Sequence, residues 1–143
     1  MVGFFIALLS GALMSIQGVF NSQVTKASGI WSASSFVQFS AFIVCIGAWL
    51  ATERGNLLKV FSVQPKYMLL GGIIGAFITY TVIKSMEILG PAKAVMLIVT
   101  AQLAVAYGIE LFGLFQVEKQ PWEWRKAIGM AVVIGGIILF KWK

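Results

Sequence analysis

Amide side chains recur inside stretches of this sequence that are otherwise apolar. Gln17 and Asn21 are four residues apart, which places them on one face of a helix. The other polar candidates in apolar surroundings are Gln38, Thr79, Gln102 and Tyr107. Since an amide both donates and accepts hydrogen bonds, a line of amides suits a polar or weakly charged solute. We expect these six positions to line a pathway through the protein.

Each of these residues also has a purely structural interpretation, which is hydrogen bonding between helices. For a lone hydroxyl such as that of Thr79 this interpretation is favoured, because the hydroxyl can also bond a carbonyl one turn earlier. For Gln17 with Asn21, and for Gln102, lining a pathway and packing between helices both stay open.

Three ionisable residues lie within or near the apolar stretches. Glu110 is the deepest acid and lies two helical turns after Gln102. If desolvated, it could bind a proton and couple transport to protons; it could equally lie at the membrane interface in contact with water. Lys84 and Glu87 are three residues apart, a spacing that predicts a structural ion pair.

The residues of most catalytic and metal sites are missing. The chain has no His, no Asp and one cysteine, Cys45, so it offers neither a four-ligand metal site nor a nucleophile with a His partner. No phosphate-binding loop of the G-x-x-x-x-G-K-[ST] type is present, so ATP is not expected to drive the protein. We expect no enzymatic activity, no metal and no cofactor.

The composition is that of a membrane protein. Hydrophobic residues make up 59% of the 143 residues and charged residues only 11%, where a soluble domain has about a quarter charged. The net charge of +6 comes from Lys and Arg that sit singly between apolar runs. Such residues are typical of helix ends in the headgroup region and do not indicate nucleic-acid binding.

Hydropathy and turn residues predict an all-α integral membrane protein of one domain, residues 1–143, with five transmembrane helices. The predicted helices are 2–23, 30–52, 67–88, 91–115 and 124–142. Gly90-Pro91 is a stop-and-restart signal, and no basic segment precedes the first helix, which we expect to be retained. The last helix has a short uncharged stretch, Ala127–Phe140, with flanking anchors. Those anchors are Lys126, Lys141, Trp122, Trp124 and Trp142.

Small residues predict where helices approach closely. In the first helix they recur every four residues, at Gly3, Ala7, Gly11 and Ser15. The third helix carries Gly71 and Gly75, and the fifth carries Gly129 and Gly136. For the first and third helices we favour packing within one chain. The fifth helix is last and short, so its glycine face is a candidate for contact between subunits.

The basic residues are divided almost evenly between the two sides of the membrane. With five crossings, six lie on the N-terminal side: Arg54, Lys59, Lys66, Lys119, Arg125 and Lys126. The other five are Lys26, Lys84, Lys93, Lys141 and Lys143. Because an excess of positive charge orients membrane proteins, a near tie favours insertion in both orientations and antiparallel pairing. The alternative is a single orientation with the N-terminus inside.

Several runs resemble the YdcZ-type family of small proposed inner-membrane exporters, within the drug/metabolite transporter superfamily. The runs are 11–23, 70–78, 98–102 followed by 108–113, and 129–136. The resemblance implies five-helix units that pair antiparallel or are fused, as halves of a ten-helix inverted-repeat bundle, with Gln17, Asn21 and Gln102 on the pathway. Glu110 stands where that family is expected to have Asp. The chain also lacks the first-helix acid of the related four-helix multidrug exporters, so their proton/cation exchange is not transferred.

Together these features predict a secondary transporter subunit in the inner (plasma) membrane. It would move a small polar or amphiphilic solute by alternating access, paired with an inverted copy of itself or a close paralogue. Two alternatives stay open: a passive channel of dual topology, and a non-transporting partner of another membrane protein.

Overall fold

The computed structural model describes residues 1–141, with the backbone alone described at Lys141. Within that range the chain is helical, with α1 (Val2–Ser28), α2 (Ile30–Thr52), α3 (Gly71–Leu89), α4 (Pro91–Phe112) and α5 (Trp124–Lys141). The chain divides into two compact units, Met1–Ile88 and the residues from Leu89 onward. The prediction of a single domain therefore stays a prediction, and each unit is described by itself.

Four helical segments are long and apolar enough to cross a membrane. They are Val2–Ser28, Ile30–Thr52, Lys66–Leu89 and Pro91–Phe112. The described part of α5 has 18 residues and includes Arg125, Lys126 and Lys141. Each of the four longer spans contains an apolar stretch of 18 residues with at most two charges, whereas the 18 described residues of α5 carry three. The predicted anchor Trp142 and the last basic residue, Lys143, lie outside the described residues.

The first unit is a three-helix arrangement whose buried residues gather at one end. They come from the last part of α1, the start of α2 and the end of α3: Gly18, Asn21, Ser22, Thr25, Ala33, Ser34, Ile83 and Met86. At most 6% of the residues in any of the four apolar windows are buried inside the chain. Most of the helical surface is thus left to face lipid or another protein.

Three helix ends differ from the predicted ones. α1 continues to Ser28, five residues past the predicted end, because no helix breaker precedes Gly29. α3 is preceded by a 3-10 helix over Lys66–Leu70. α4 stops at Phe112 because Gly113 adopts the left-handed conformation, with φ 64° and ψ 39°, that ends many helices.

Single glycines connect α1 to α2 and α3 to α4. Gly29 has φ 84° and ψ 156°, and Gly90 has φ 80° and ψ 158°, a region of backbone conformation open essentially only to glycine. In each case the glycine carbonyl accepts from the amide four residues later, Ala33 at 3.0 Å and Ala94 at 3.1 Å. Pro91 occupies the first turn of α4, which confirms the stop-and-restart signal at Gly90-Pro91.

Two longer connections contain short local structure. The α2–α3 connection has a 3-10 helix over Leu57–Ser62, whose first turn is capped by the Asn56 side chain accepting from the Leu58 amide at 2.9 Å. The α4–α5 connection turns at Phe115 and Gln116, which both have positive φ, 55° and 66°. Leu57, Leu58 and Phe61 are exposed, so the first of these connections presents an apolar surface next to Lys59.

Candidate functional site

Gln17 and Asn21 lie together in an open groove on α1. The groove measures about 350 Å³ and is lined by Leu13, Met14, Ile16, Gln17, Phe20 and Asn21. The Gln17 side chain is exposed, whereas Asn21 is buried, with a relative exposure of 8%. The shared face predicted from their four-residue spacing is present. Because all lining residues belong to one helix, the groove is open on its other side.

Gln38 and Thr79 join α2 to α3. The amide Nε2 of Gln38 donates to the hydroxyl Oγ1 of Thr79 over 3.3 Å, and that hydroxyl donates to the Gly75 carbonyl over 3.0 Å. Gly75 lies beside the same amide: a Cβ at this position would be 3.8 Å from Gln38 Nε2. A side chain as small as that of alanine would make only an ordinary van der Waals contact with the amide, so the distance marks where α2 and α3 lie close together.

An aromatic pair joins the same two helices. The rings of Trp31 and Tyr80 stack with centroids 5.0 Å apart and an interplanar angle of 21°. Tyr80 follows Thr79 directly in sequence, so α3 contacts α2 through both residues. This contact was missed from sequence because residue spacing along one helix carries no information on its neighbour.

Buried hydroxyl groups flank the Gly29 connection. Thr25 on α1 and Ser34 on α2 are buried, and neither Oγ1 of Thr25 nor Oγ of Ser34 has a hydrogen-bond partner among the described residues. Most serine and threonine hydroxyls in these helices instead bond a carbonyl one turn earlier, as Ser10 does to Ile6 at 2.9 Å.

Tyr107 and Glu110 lie in a groove between α4 and α5, called here the α4–α5 groove. It measures about 380 Å³. The α4 side is lined by Leu103, Ala106, Tyr107 and Glu110. The α5 side is lined by Lys126, Gly129, Met130 and Val133. Three residues selected from sequence for separate reasons, Tyr107, Glu110 and Gly129, thus line one groove.

Lys126 is the centre of an ion-pair cluster at the mouth of this groove. Its Nζ is 3.8 Å from Oε2 of Glu110 and 3.4 Å from Oε1 of Glu123. The same ammonium lies 5.8 Å from the centroid of the Tyr107 ring, within cation–π range. The sequence assigned Lys126 to an interfacial position but gave no sign of these partners, which the α4–α5 hairpin brings together.

Tyr107 connects α4 to the segment that precedes α5. Its hydroxyl accepts a hydrogen bond from the Glu123 amide at 3.3 Å, and its ring lies 6.0 Å from that of Trp122. Tyr107 is buried, with a relative exposure of 7%. A buried ring with its hydroxyl satisfied is a fixed wall of the groove.

The ion pair predicted between Lys84 and Glu87 is confirmed, with Nζ 3.2 Å from Oε2. Gln102 is exposed on α4 and is not among the residues that line the α4–α5 groove. Its predicted place on a pathway with Gln17 and Asn21 stays a prediction. The exposure of the Glu110 side chain, 45%, and its pairing with Lys126 favour the interfacial interpretation of that acid.

The glycines of α1 do not pack as expected. A Cβ at Gly3 or Gly11 would meet no described atom within 4 Å, because α2 and α3 contribute buried residues only near the end of α1. The closely packed glycine is Gly18, where a Cβ would lie 2.8 Å from Sδ of Met86. The expectation of packing within the chain at Gly3 and Gly11 is therefore wrong. Gly71, Gly129 and Gly136 are also open.

Comparison with protein-family models gives one match. It covers residues 2–139, and the family is described as "Putative inner membrane exporter, YdcZ". The chain belongs to this family. Comparison with curated proteins finds no significant match. Comparison with solved structures finds none either.

Family membership and the apolar helices together establish the protein as a multi-pass protein of the inner membrane. They also confirm the resemblance seen in the sequence and support a role as a membrane transporter rather than an enzyme. Within residues 1–141 no group of three or more His, Cys, Asp or Glu side chains lies close enough together to hold a metal ion.

Proposed function

We propose that the protein is one subunit of a secondary transporter that moves a small polar or amphiphilic solute across the inner membrane. Two chains in inverted orientation would enclose the solute and work by alternating access. The second chain is a copy of the first or a close paralogue. An exporter family covering residues 2–139 supports transport in general.

The observation that carries the pairing is the exposure of polar side chains within apolar helices. Gln17 and Gln102 are exposed, although each lies well inside a segment of membrane-spanning length. Hydrocarbon offers an amide no hydrogen-bond partner, so an amide facing lipid is costly. A second copy would cover these amides or enclose them in a polar cavity. The one-sided groove that contains Gln17 and Asn21 would then gain its missing wall.

We further propose that α5 makes the fifth crossing. Its uncharged stretch Ala127–Phe140 is short, but Lys126 at one end and the aromatic residues Trp122 and Trp124 can extend the span to the headgroup region. Five crossings put the two ends of the chain on opposite sides. The six and five basic residues then lie on opposite sides, which favours insertion both ways.

Within the pair, Gln17, Asn21, Gln38, Thr79 and Gln102 are the proposed pathway residues. Gln38 and Thr79 already bond each other at 3.3 Å, so a solute that approaches them would exchange one hydrogen bond for another. Gly71 and Gly136 have open surroundings and are candidates for close contact with the second copy.

Orientation is tested by labelling single cysteines in a variant that first carries Cys45→Ala, since Cys45 is exposed. Ser62→Cys and Ser28→Cys are matched: both positions are exposed, both changes keep the charge, and the two lie on opposite sides in a five-crossing chain. We expect an impermeant maleimide to label about half of each variant from outside and the rest only after lysis. Labelling of one variant alone from outside would establish a single orientation and end the proposal of inverted pairing.

Transport is tested with the purified protein in proteoliposomes. A panel of labelled probes covers the proposed class, for example ethidium, a neutral amino acid and a polyol. Saturable flux of one probe by a homodimer supports the proposal. Ion currents far above carrier turnover would favour the channel, and a homodimer that moves no probe would favour the non-transporting partner.

A further inference from the structure

We propose that the α4–α5 groove binds a phospholipid whose headgroup carries both a phosphate and a primary ammonium, as in phosphatidylethanolamine. This is a lipid site on a single chain, and it does not rest on the proposed transport function.

The groove is charged at one end and apolar at the other. Glu110 lies two residues before the end of α4, and Lys126 lies two residues after the start of α5. Leu103 lies seven residues before Glu110 and Val133 lies seven residues after Lys126, each a distance of about 10 Å at 1.5 Å per residue. A molecule with a charged head and an apolar tail fits this arrangement, with its tail running into the hydrocarbon. Free phosphate or a free amine would use the charged end alone.

The depth of the charged end matches that of a lipid headgroup. It lies where α4 ends and α5 begins, next to Trp122 and Trp124, whose rings are 5.7 Å apart and both exposed. Exposed tryptophans at a helix end are typical of the membrane–water interface. A phospholipid in the surrounding bilayer would therefore enter the groove from the side, with its headgroup staying at the same level in the membrane.

The charges at the mouth favour a zwitterionic head. Lys126 is shared between Glu110 and Glu123, at 3.8 and 3.4 Å, so these three residues carry one surplus negative charge. A lipid phosphate would bind the Lys126 ammonium in place of one of its two glutamate partners. The lipid ammonium would then bind the carboxylate of Glu110 or Glu123 that no longer pairs with Lys126. Arg125, the next basic residue, is not among the residues that line the groove.

The type of amine is decided by hydrogen bonding. A primary ammonium has three N–H donors for the two carboxylates, as a lysine does. The trimethylated amine of phosphatidylcholine has none, and phosphatidylglycerol has no cation. The site should therefore rank the three headgroups with phosphatidylethanolamine first.

The mouth of the groove is held in place before a lipid arrives. The buried Tyr107 ring forms its wall, and the Tyr107 hydroxyl accepts from the Glu123 amide at 3.3 Å, which fixes the segment that carries Glu123. On the α5 side, Gly129 leaves the groove open, since a Cβ at this position would meet no described atom within 4 Å. The site thus needs little ordering on binding.

The test is native mass spectrometry of the full chain with lipids of identical acyl chains. We expect phosphatidylethanolamine to be retained about fivefold or more over phosphatidylcholine and phosphatidylglycerol. Mono-, di- and trimethylated ethanolamine heads should lose retention stepwise, because each methyl group removes one donor. This series uses the parent protein, so it decides the matter even if a variant fails to fold.

Variants then locate the site. Glu110→Gln and Lys126→Gln should abolish the headgroup preference, and Val133→Trp should reduce retention of every lipid by filling the groove. Arg125→Gln is the matched control: it removes the same charge as Lys126→Gln from the neighbouring position and should keep the preference.

Two results would overturn the proposal. One is equal retention of the ethanolamine and choline lipids by the parent protein. The other is cross-linking of two chains through Gly129→Cys, in the Cys45→Ala background, with loss of bound lipid. That second outcome would mean that another copy of the chain, and not a lipid, occupies the groove.

Discussion

The amide of Gln38 donates a hydrogen bond to the hydroxyl of Thr79 over 3.3 Å, from α2 to α3. The same hydroxyl satisfies the Gly75 carbonyl one turn earlier in its own helix. Thr79 therefore has two roles at once: its hydroxyl bonds a carbonyl of its own helix, and it also accepts a hydrogen bond from the neighbouring helix.

A double-mutant cycle on Gln38→Leu and Thr79→Val measures this contact. We expect a coupling energy of about 0.6 kcal/mol, the average for side-chain hydrogen bonds between membrane helices. Reversible unfolding in mixed detergent micelles gives the free energies of unfolding of the parent, the two single variants and the double variant. Thr81→Val is the control, because within residues 1–141 the Thr81 hydroxyl bonds the Phe77 and Ile78 carbonyls of its own helix and no side chain of α2. Equal coupling of Gln38 to both threonines would contradict the contact.

Gly18→Ala tests the close approach of α1 to α3. A methyl group there would meet the Met86 side chain, whose Sδ would be 2.8 Å away. We expect a loss of about 1 kcal/mol in the free energy of unfolding, at the low end for overpacking because the end of a methionine can move. Gly11→Ala on the same helix should lose nothing, since its surroundings are open. In a Met86→Ala background, Gly18→Ala should cost little, because the side chain that the new methyl group meets is gone.

Gln17→Ala and Asn21→Ala test the pathway. If these amides bind the solute during transport, each substitution should lower flux about tenfold or more, the equivalent of one hydrogen bond of about 1.4 kcal/mol. Flux is measured in proteoliposomes and the dimer by size-exclusion chromatography. Gln23→Ala is the control, because Gln23 accepts a bond from Lys26 at 3.2 Å near the end of the helix. Unchanged flux in both variants, with the dimer intact, would remove these residues from the pathway.

Ser62→Lys and Ser28→Lys test whether the charge tie sets the orientation. Ser62→Lys adds a seventh basic residue to the N-terminal side, and Ser28→Lys adds a sixth to the opposite side. We expect the two variants to shift the orientation in opposite directions. C-terminal fusions report it: phosphatase activity should rise in Ser62→Lys, and green fluorescence should rise in Ser28→Lys. Two unresponsive variants would mean that something other than charge balance fixes the orientation.

Much of the fold follows from hydropathy and glycine. The α2 range and the α3–α4 junction were predictable because Gly29, Gly90 and Pro91 stop and restart helices by local geometry. The end of α4 was not predictable from sequence. Gly113 ends the helix by adopting a left-handed conformation, and a glycine within an apolar run does not indicate by itself which conformation it adopts.

The candidate sites divide in the same way. The Lys84–Glu87 pair was predictable because helix geometry alone brings together residues three apart. Glu110 with Lys126, and Tyr107 with Glu123, depend on how a hairpin closes. Likewise, small-residue spacing predicted faces of α1 that could pack, but the choice of Gly18 over Gly11 depends on where α3 ends.

The single-residue connection at Gly29 has a consequence for how the chain enters the membrane. With one residue between α1 and α2, we expect the two helices to enter the bilayer together as one hairpin. The tip that has to cross carries one nearby cation, Lys26, and almost no hydrated backbone. If the chain inserts in both orientations, as proposed above, this short turn is the part that has to cross the bilayer from either side, and it adds little polar backbone to carry across.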